Sequence, residues 1–464
     1  MNYFLSDSSG ILPSNSIIDM RYDGAALWIG ASGGVARTTD GGATWVKFST
    51  ADGLKSNSVS GLAVTPDVIW AATSRSEVRE GELIPIGTGL NKSTDMGTNW
   101  ETFEPQQASF FGQLAYDLVV TDSTLWAACF YGGLIRSHPA DTTFFNVFPD
   151  SASRHDFENE LYTLLRNRFF SVTADTTNAD STIIYGGSAA GVARFAFYTS
   201  DSIPDTVVQV SHSDNLPDDW RLPGDFVITL ETQYTPDPVI WASCKPVSSG
   251  QSIAISRSTD HGRTWNTPFG SEGFECWNFA FDDTIVYAAT TQGLVRSYDN
   301  GESWEQFSGF VDYDNGNVYL STTFYAVELV GDTIWAGGPD GVVRSTDDGL
   351  SWKVYRSYLP AGSADAGDSY AYPVPFSPER GRGSVRIHYK APSTTTATIK
   401  IYDFGMNLVK IIAEDKPVVA GVEYDNDLWY GANIRGDLAA NGIYFYRIEM
   451  ADGTDWWGKL AVLK

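Results

Sequence analysis

YAATTQGLVRSYDNGESW (287–304) and WAGGPDGVVRSTDDGLSW (335–352) carry the reading that decides the fold. Each starts on an aromatic residue, passes through small residues to a glycine, and continues as two apolar residues, Arg and Ser. Each then closes on Ser-x-Asp-x-Gly-x-x-Trp. The closing motif recurs as TTDGGATW (38–45), STDMGTNW (93–100) and STDHGRTW (258–265). Its residues fit a tight hairpin. The Asp carboxylate accepts backbone N–H groups across the loop, and the Gly two positions on takes a conformation costly for other residues. The Trp packs back on the sheet. Asp40, Gly42 and Trp45, Asp95, Gly97 and Trp100, Asp260, Gly262 and Trp265, Asp299, Gly301 and Trp304, and Asp347, Gly349 and Trp352 are therefore expected to be structural.

The opening aromatic recurs beyond these five copies, as Trp28, Trp70, Trp126, Tyr185, Trp241, Tyr287 and Trp335, spaced 42 to 59 residues apart. That is the period of a four-stranded propeller blade with variable loops. Seven anchors predict an all-β chain with a seven-bladed β-propeller over 1–360. Closing the ring removes exposed sheet edges. RSHPADTTFF (136–145) and ARFAFYTSDS (193–202) lose most of the closing motif, so those two blades are expected to lack its hairpin. Long excursions at 74–91, 146–180 and 199–225 read either as places where partners bind on rigid blades or as surface loops lengthened by neutral drift.

These motifs resemble the Asp-box, or BNR, repeat of sialidases, family 74 xyloglucan hydrolases, sortilin-type receptors and photosystem assembly propellers. The stretches GILPSNSIIDMRYDGAALWIG (10–30) and GLKSNSVSGLAVTPDVIWAA (53–72) resemble repeats of two-component-regulator propellers. Both likenesses imply the same architecture.

A Gly/Ala/Ser/Asp stretch at 361–369 reads as a linker. Strand-like runs follow over 370–464 at 384–390, 396–404, 407–412, 442–450 and 456–464, with the alternation of a small β-sandwich. AYPVPFSP (371–378), TIKIYDFGMNLVKII (398–412), LWYGANIRGDLAANGIYFYRIE (428–449) and GKLAVLK (458–464) resemble the C-terminal sorting domain of type IX secretion cargo. They are also similar to the immunoglobulin-like domain of flagellar hook-cap proteins. The resemblance implies an Ig-like sorting or docking module, contact with secretion machinery, and export. On that reading, the absence of a leader at MNYFLSDSSG reflects its removal.

The formal charge of −26 argues against nucleic acid and anionic lipid as partners. No run of 18 apolar residues exists to span a membrane. Three cysteines give no disulfide framework and no zinc spacing, so Cys129, Cys244 and Cys276 read as buried thiols. No cofactor is expected. DYDNGN (312–317) has the oxygen-rich start of a calcium loop, but Thr323 stands where the twelfth-position Glu belongs, so it reads first as a turn and second as a weak calcium site.

Glycoside hydrolysis needs two carboxyl groups facing a groove. Asp218, Asp219 and Glu231 are the candidates, with Glu158 and Glu160 behind them. Arg37, Arg136, Arg194, Arg257, Arg296 and Arg344 recur with the blade and form no separate triad for an acidic sugar. Trp220, Trp277 and Tyr131 are candidate stacking residues. The reading that results is a non-enzymatic exported propeller binding a glycan or protein at the cell surface. The alternatives are an extracellular glycoside hydrolase and an assembly component of an envelope complex.

Overall fold

The computed structural model describes residues 12–463, apart from 80–81, 105–113, 123, 138–142, 179–180, 198–205, 213–216, 218–219, 236, 315–316, 358–368 and 379–382. It divides into two compact units, Met1–Tyr313 with Ser321–Arg356, and Asp314–Leu320 with Ser357–Lys464.

The first unit is built from seven antiparallel meanders. Their innermost strands are Ile17–Tyr22, Ser58–Val64, Ala115–Thr121, Phe169–Asp175, Phe226–Gln233, Cys276–Asp282 and Ala326–Val330. Each touches the next, and the seventh returns to the first, so the ring is closed. Ile17, Met20 and Ile29 of blade 1 share one core with Ala326, Trp335 and Val342 of blade 7. Every anchor aromatic lies on the second strand of its blade. Opposite it on the third strand stands Arg37, Lys92, Arg136, Arg194, Arg257, Arg296 or Arg344. The cation lies 5.1–6.0 Å from the ring centroid in six of the seven. The repeated arginines are thus cross-strand partners of the anchors, and Lys92 is the member that a search for Arg passes over.

The closing turns show why their residues are fixed. In all five, the Ser or Thr hydroxyl donates to the Asp and accepts the Gly N–H, at 2.7–2.9 Å. The Asp then accepts both the N–H and the side chain of Thr44, Asn99, Thr264, Ser303 or Ser351. Bonds from Ser303 hold the Asp299 carboxyl down at about 2. Two consecutive left-handed residues make the turn. The first is Gly41, Met96, His261, Asn300 or Asp348 at φ +56° to +68°, and the second is the motif Gly.

The motif Trp packs on the blade before its own. Trp45 meets Trp335 edge-on, and Trp304 meets Trp241 likewise, with ring planes 87–89° apart. The five indole nitrogens are buried and have no hydrogen-bond acceptor. From the other side of the seam, Arg194 and Arg257 reach to the carbonyls of His261 and Asn300 in the next blade's turn. Each turn therefore staples two blades.

Three excursions differ from the loops that their lengths suggest. Residues 74–91 continue the two middle strands of blade 2, Ile69–Arg79 and Glu82–Ser93, in register to Arg79 opposite Glu82. Within 199–225, Thr206–Val210 is the fourth strand of blade 4, as its β-branched run favours. Residues 146–180 hold a helix, Ser151–Glu158, capped by Asp150, before blade 4 begins at Phe169. Blade 5 has three strands, extended by an isolated bridge from Arg257 to Asn266. The degenerate turns of blades 3 and 4 fall mainly on 138–142 and 198–205, outside the described residues.

The second unit packs a three-stranded sheet against a four-stranded one. Tyr389, Ile399, Ile401, Trp429, Tyr446 and Leu460 fill its core. Two of its strands, Ser369–Tyr372 and Glu423–Trp429, lie outside the runs that apolar alternation marks. The second is charged at alternate positions, so its apolar period is broken. All three cysteines are buried and free.

Candidate functional site

The innermost strands of six blades carry a bulge near their start. The residue after it is Asp19, Gly61, Asp117, Ser171, Thr229 or Asn278, and the corresponding position in blade 7 is Ala326. In four of these blades the side chain of that residue accepts the N–H of the next blade's strand. Asp19 takes Leu62 at 2.8 Å, Asp117 takes Val172 at 2.9 Å, Ser171 takes Leu230 at 2.9 Å and Asn278 takes Val327 at 2.9 Å. These bonds fasten the ring at its centre.

Two residues further along, the period of two brings Arg21, Thr173, Glu231 and Glu328 to the corresponding place in their strands. Arg21 donates to Glu231 of blade 5 and lies 3.5 Å from Asp117 of blade 3 and 3.4 Å from Asp19 of its own blade. Neither blade 3 nor blade 5 adjoins blade 1, so this side chain reaches across the channel. Glu328 accepts the N–H of Tyr22 at 3.2 Å, which closes the ring from blade 7 to blade 1.

One guanidinium thus serves three carboxyl groups, with Glu328 close behind them. Burial pushes the Glu328 carboxyl up to about 7. Burial also raises Asp117 well above the usual carboxylate range, against the pull of Arg21 and with the repulsion of Glu231. Both acids hold a proton more tightly folded than unfolded. The stability this gives is complete below the ordinary carboxylate pKa and is lost as pH rises towards 7. Thermal unfolding is accordingly expected to move to lower temperature between pH 5 and pH 8. Glu328→Gln should flatten that slope by up to about 1.4 kcal/mol per pH unit. Parallel slopes in the two proteins would show that Glu328 does not titrate in this window.

Three bulge residues, Tyr116, Phe170 and Trp277, join neighbouring aromatics into a rim beside these layers. Tyr116 stacks on Phe170 at 5.5 Å, Phe170 meets Phe226 at 4.6 Å, and Phe130 joins them at 5.9 Å. On blades 6 and 7, Trp277 and Tyr325 stand perpendicular at 5.7 Å. Trp277 is 38% exposed, and the other five are half-buried.

Of the sequence candidates, Glu231 faces Arg21 in the channel. Asp218 and Asp219 lie outside the described residues. Glu158 and Glu160 are exposed at the end of the short helix. Trp277 belongs to the rim and Trp220 is exposed elsewhere, whereas Tyr131 is fully buried and cannot stack on a ligand. Its hydroxyl donates to buried Asp156 at 3.0 Å, which fixes the insertion on its blade. Asp312 is buried, and Asn315 and Gly316 of the calcium-like run lie outside the described residues. Among the described residues no cluster of His, Cys, Asp or Glu could hold a metal ion. Asp19, Arg21, Asp117 and Glu328 were legible only in part. In five blades the position after the bulge stands nine residues before the anchor, but longer hairpins in blades 4 and 5 hide the offset.

No family model and no curated protein matches the chain. Among solved structures it is similar to the GH74 enzyme of Niastella koreensis, at 13% identity and a TM-score of 0.55, covering 98% of this chain and 74% of that one. It is similar to the extracellular domain of a putative hybrid two-component system from B. thetaiotaomicron, at 13% identity and a TM-score of 0.50, covering 97% and 57%. PorZ, a surface component of the type IX secretion system of Porphyromonas gingivalis, aligns at 14% identity and a TM-score of 0.43, covering 95% and 64%. The chain thus spans less than two thirds of PorZ and of that extracellular domain. At these identities the likeness is one of fold: the chain is an all-β protein, a seven-bladed propeller followed by a small Ig-like sandwich.

Proposed function

We propose that this chain is a non-enzymatic, exported propeller that binds a glycan or protein partner at the cell surface through the mouth of its central channel. The observation that carries this is the pairing of an aromatic rim with carboxylates already engaged by Arg21. Rigid aromatic faces at a rimmed opening favour binding. A glycosidase needs one carboxyl free to protonate the leaving oxygen and a second facing the sugar. Arg21 lies between Asp117 and Glu231 instead.

The five stapling turns support assigning the blades to the Asp-box type. The Tyr-Pro-x-Pro-Phe opening and terminal hairpin support reading the second unit as a sorting or docking module for secretion machinery. Among the described residues no helix is long and apolar enough to cross a membrane.

The test is incubation with a panel of plant, algal and bacterial polysaccharides, scoring retained protein and new reducing ends. No new reducing ends are expected. Cleavage that disappears in Glu231→Gln, or on neutralising Asp218 or Asp219, would make the protein a glycoside hydrolase.

A further inference from the structure

We propose that the corner formed by Trp277 and Tyr325 receives the positively charged side chain of a protein partner, a lysine or arginine presented on an extended segment. The inference rests on the channel mouth being the binding surface. It adds the chemistry of what binds.

The corner itself excludes the flat alternative. A neutral pyranose stacks face to face on a ring, but the two planes here meet edge to face, 88° apart with centroids 5.7 Å apart, which offers a corner rather than a flat platform. The electrostatics select the sign. Behind the mouth, Asp19, Asp117 and Glu231 share one guanidinium, on a chain of charge −26. Such a field attracts cations and repels anions. Aromatic faces add cation–π attraction, which strengthens as water leaves. The protein uses this chemistry in its own rim, where the Arg168 guanidinium lies 5.6 Å from the Phe130 ring. Among the described residues no Lys or Arg stands over Trp277 or Tyr325. The nearby Lys245 is paired with Glu275 at 2.9 Å.

The experiment measures fluorescence anisotropy of a dye-labelled Gly/Ser peptide carrying three lysines, at low and high salt, with the full chain. A peptide with norleucine in place of each lysine and a neutral xyloglucan oligosaccharide serve as competitors. Trp277→Ala and Tyr325→Leu are expected to raise Kd roughly tenfold, while Trp220→Ala, at an exposed tryptophan elsewhere, leaves it unchanged. The norleucine peptide and the oligosaccharide should not compete. Equal binding by the wild type and Trp277→Ala would reduce the effect to surface charge and overturn the proposal. Competition by the oligosaccharide, lost in Trp277→Ala, would keep the mouth as the site but overturn its cationic ligand. If no probe responds to the mouth variants, both this proposal and the binding surface beneath it fail.

Discussion

Replacing Arg21 with Met is expected to destabilise the propeller by about 3–5 kcal/mol, the usual cost of leaving buried charges without their partner. Asp19, Asp117 and Glu231 would then face one another across the channel with no cation between them. The acids come from blades 1, 3 and 5, so their repulsion strains the ring rather than a single blade. The defect should be larger at pH 8 than at pH 5, because Asp117 and Glu328 are easier to protonate than ordinary carboxyls. Glu231→Gln added to Arg21→Met should recover part of the loss by removing one of the stranded charges. Twelve of the 15 tryptophans precede residue 357, so urea unfolding followed by tryptophan fluorescence reports chiefly on the propeller. A change below about 1 kcal/mol would place Arg21 among solvated surface pairs.

Gly301→Ala should be of similar size for a different reason. Gly301 has φ +92°, where a side chain costs about 1–2 kcal/mol. A β-carbon there would also lie 2.6 Å from the ring of Trp241, which is fully buried and held by its Nε1 bond to Gln233. Overpacking of that kind adds about 1–3 kcal/mol. The sum is a loss of roughly 2–5 kcal/mol, read from the urea midpoint. The same substitution at Gly250, with φ +90° but open space around its β-carbon position, carries the backbone cost alone and serves as the comparison. Equal losses at both sites would show that the contact between blades 5 and 6 contributes nothing.

The two substitutions separate what sequence conveys from what it does not. Gly301 belongs to a local rule. Hydroxyl, Asp and Gly fall within five residues of one another, so five copies of the spacing are enough to announce a turn. Even there the motif omits one member of the turn. The Thr, Asn or Ser before each Trp completes the Asp cage, yet its type varies and its spacing carries no separate signal. The neighbour that makes Gly301 intolerant of a side chain, Trp241, lies on another blade.

Arg21 has a local place in the repeat, but its hydrogen-bond partners are not local. It stands in an ordinary alternating strand, seven residues before Trp28, and its partners are 96 and 210 residues away. The rim is similar: Tyr116, Phe170 and Trp277 look like strand aromatics until the bulges place them. Loop length misleads for a related reason, since hydrogen bonding between residues 74–79 and 82–88 turns an apparent excursion into strand. By itself the sequence determined the repeat, the blade count, the hairpin turns and an all-β chain of propeller followed by sandwich, because each is written in short-range spacing and apolar period. Only the tertiary structure decided which charges and aromatics meet at the axis, because closing the ring brings together residues from different blades whose separation along the chain depends on every loop between them.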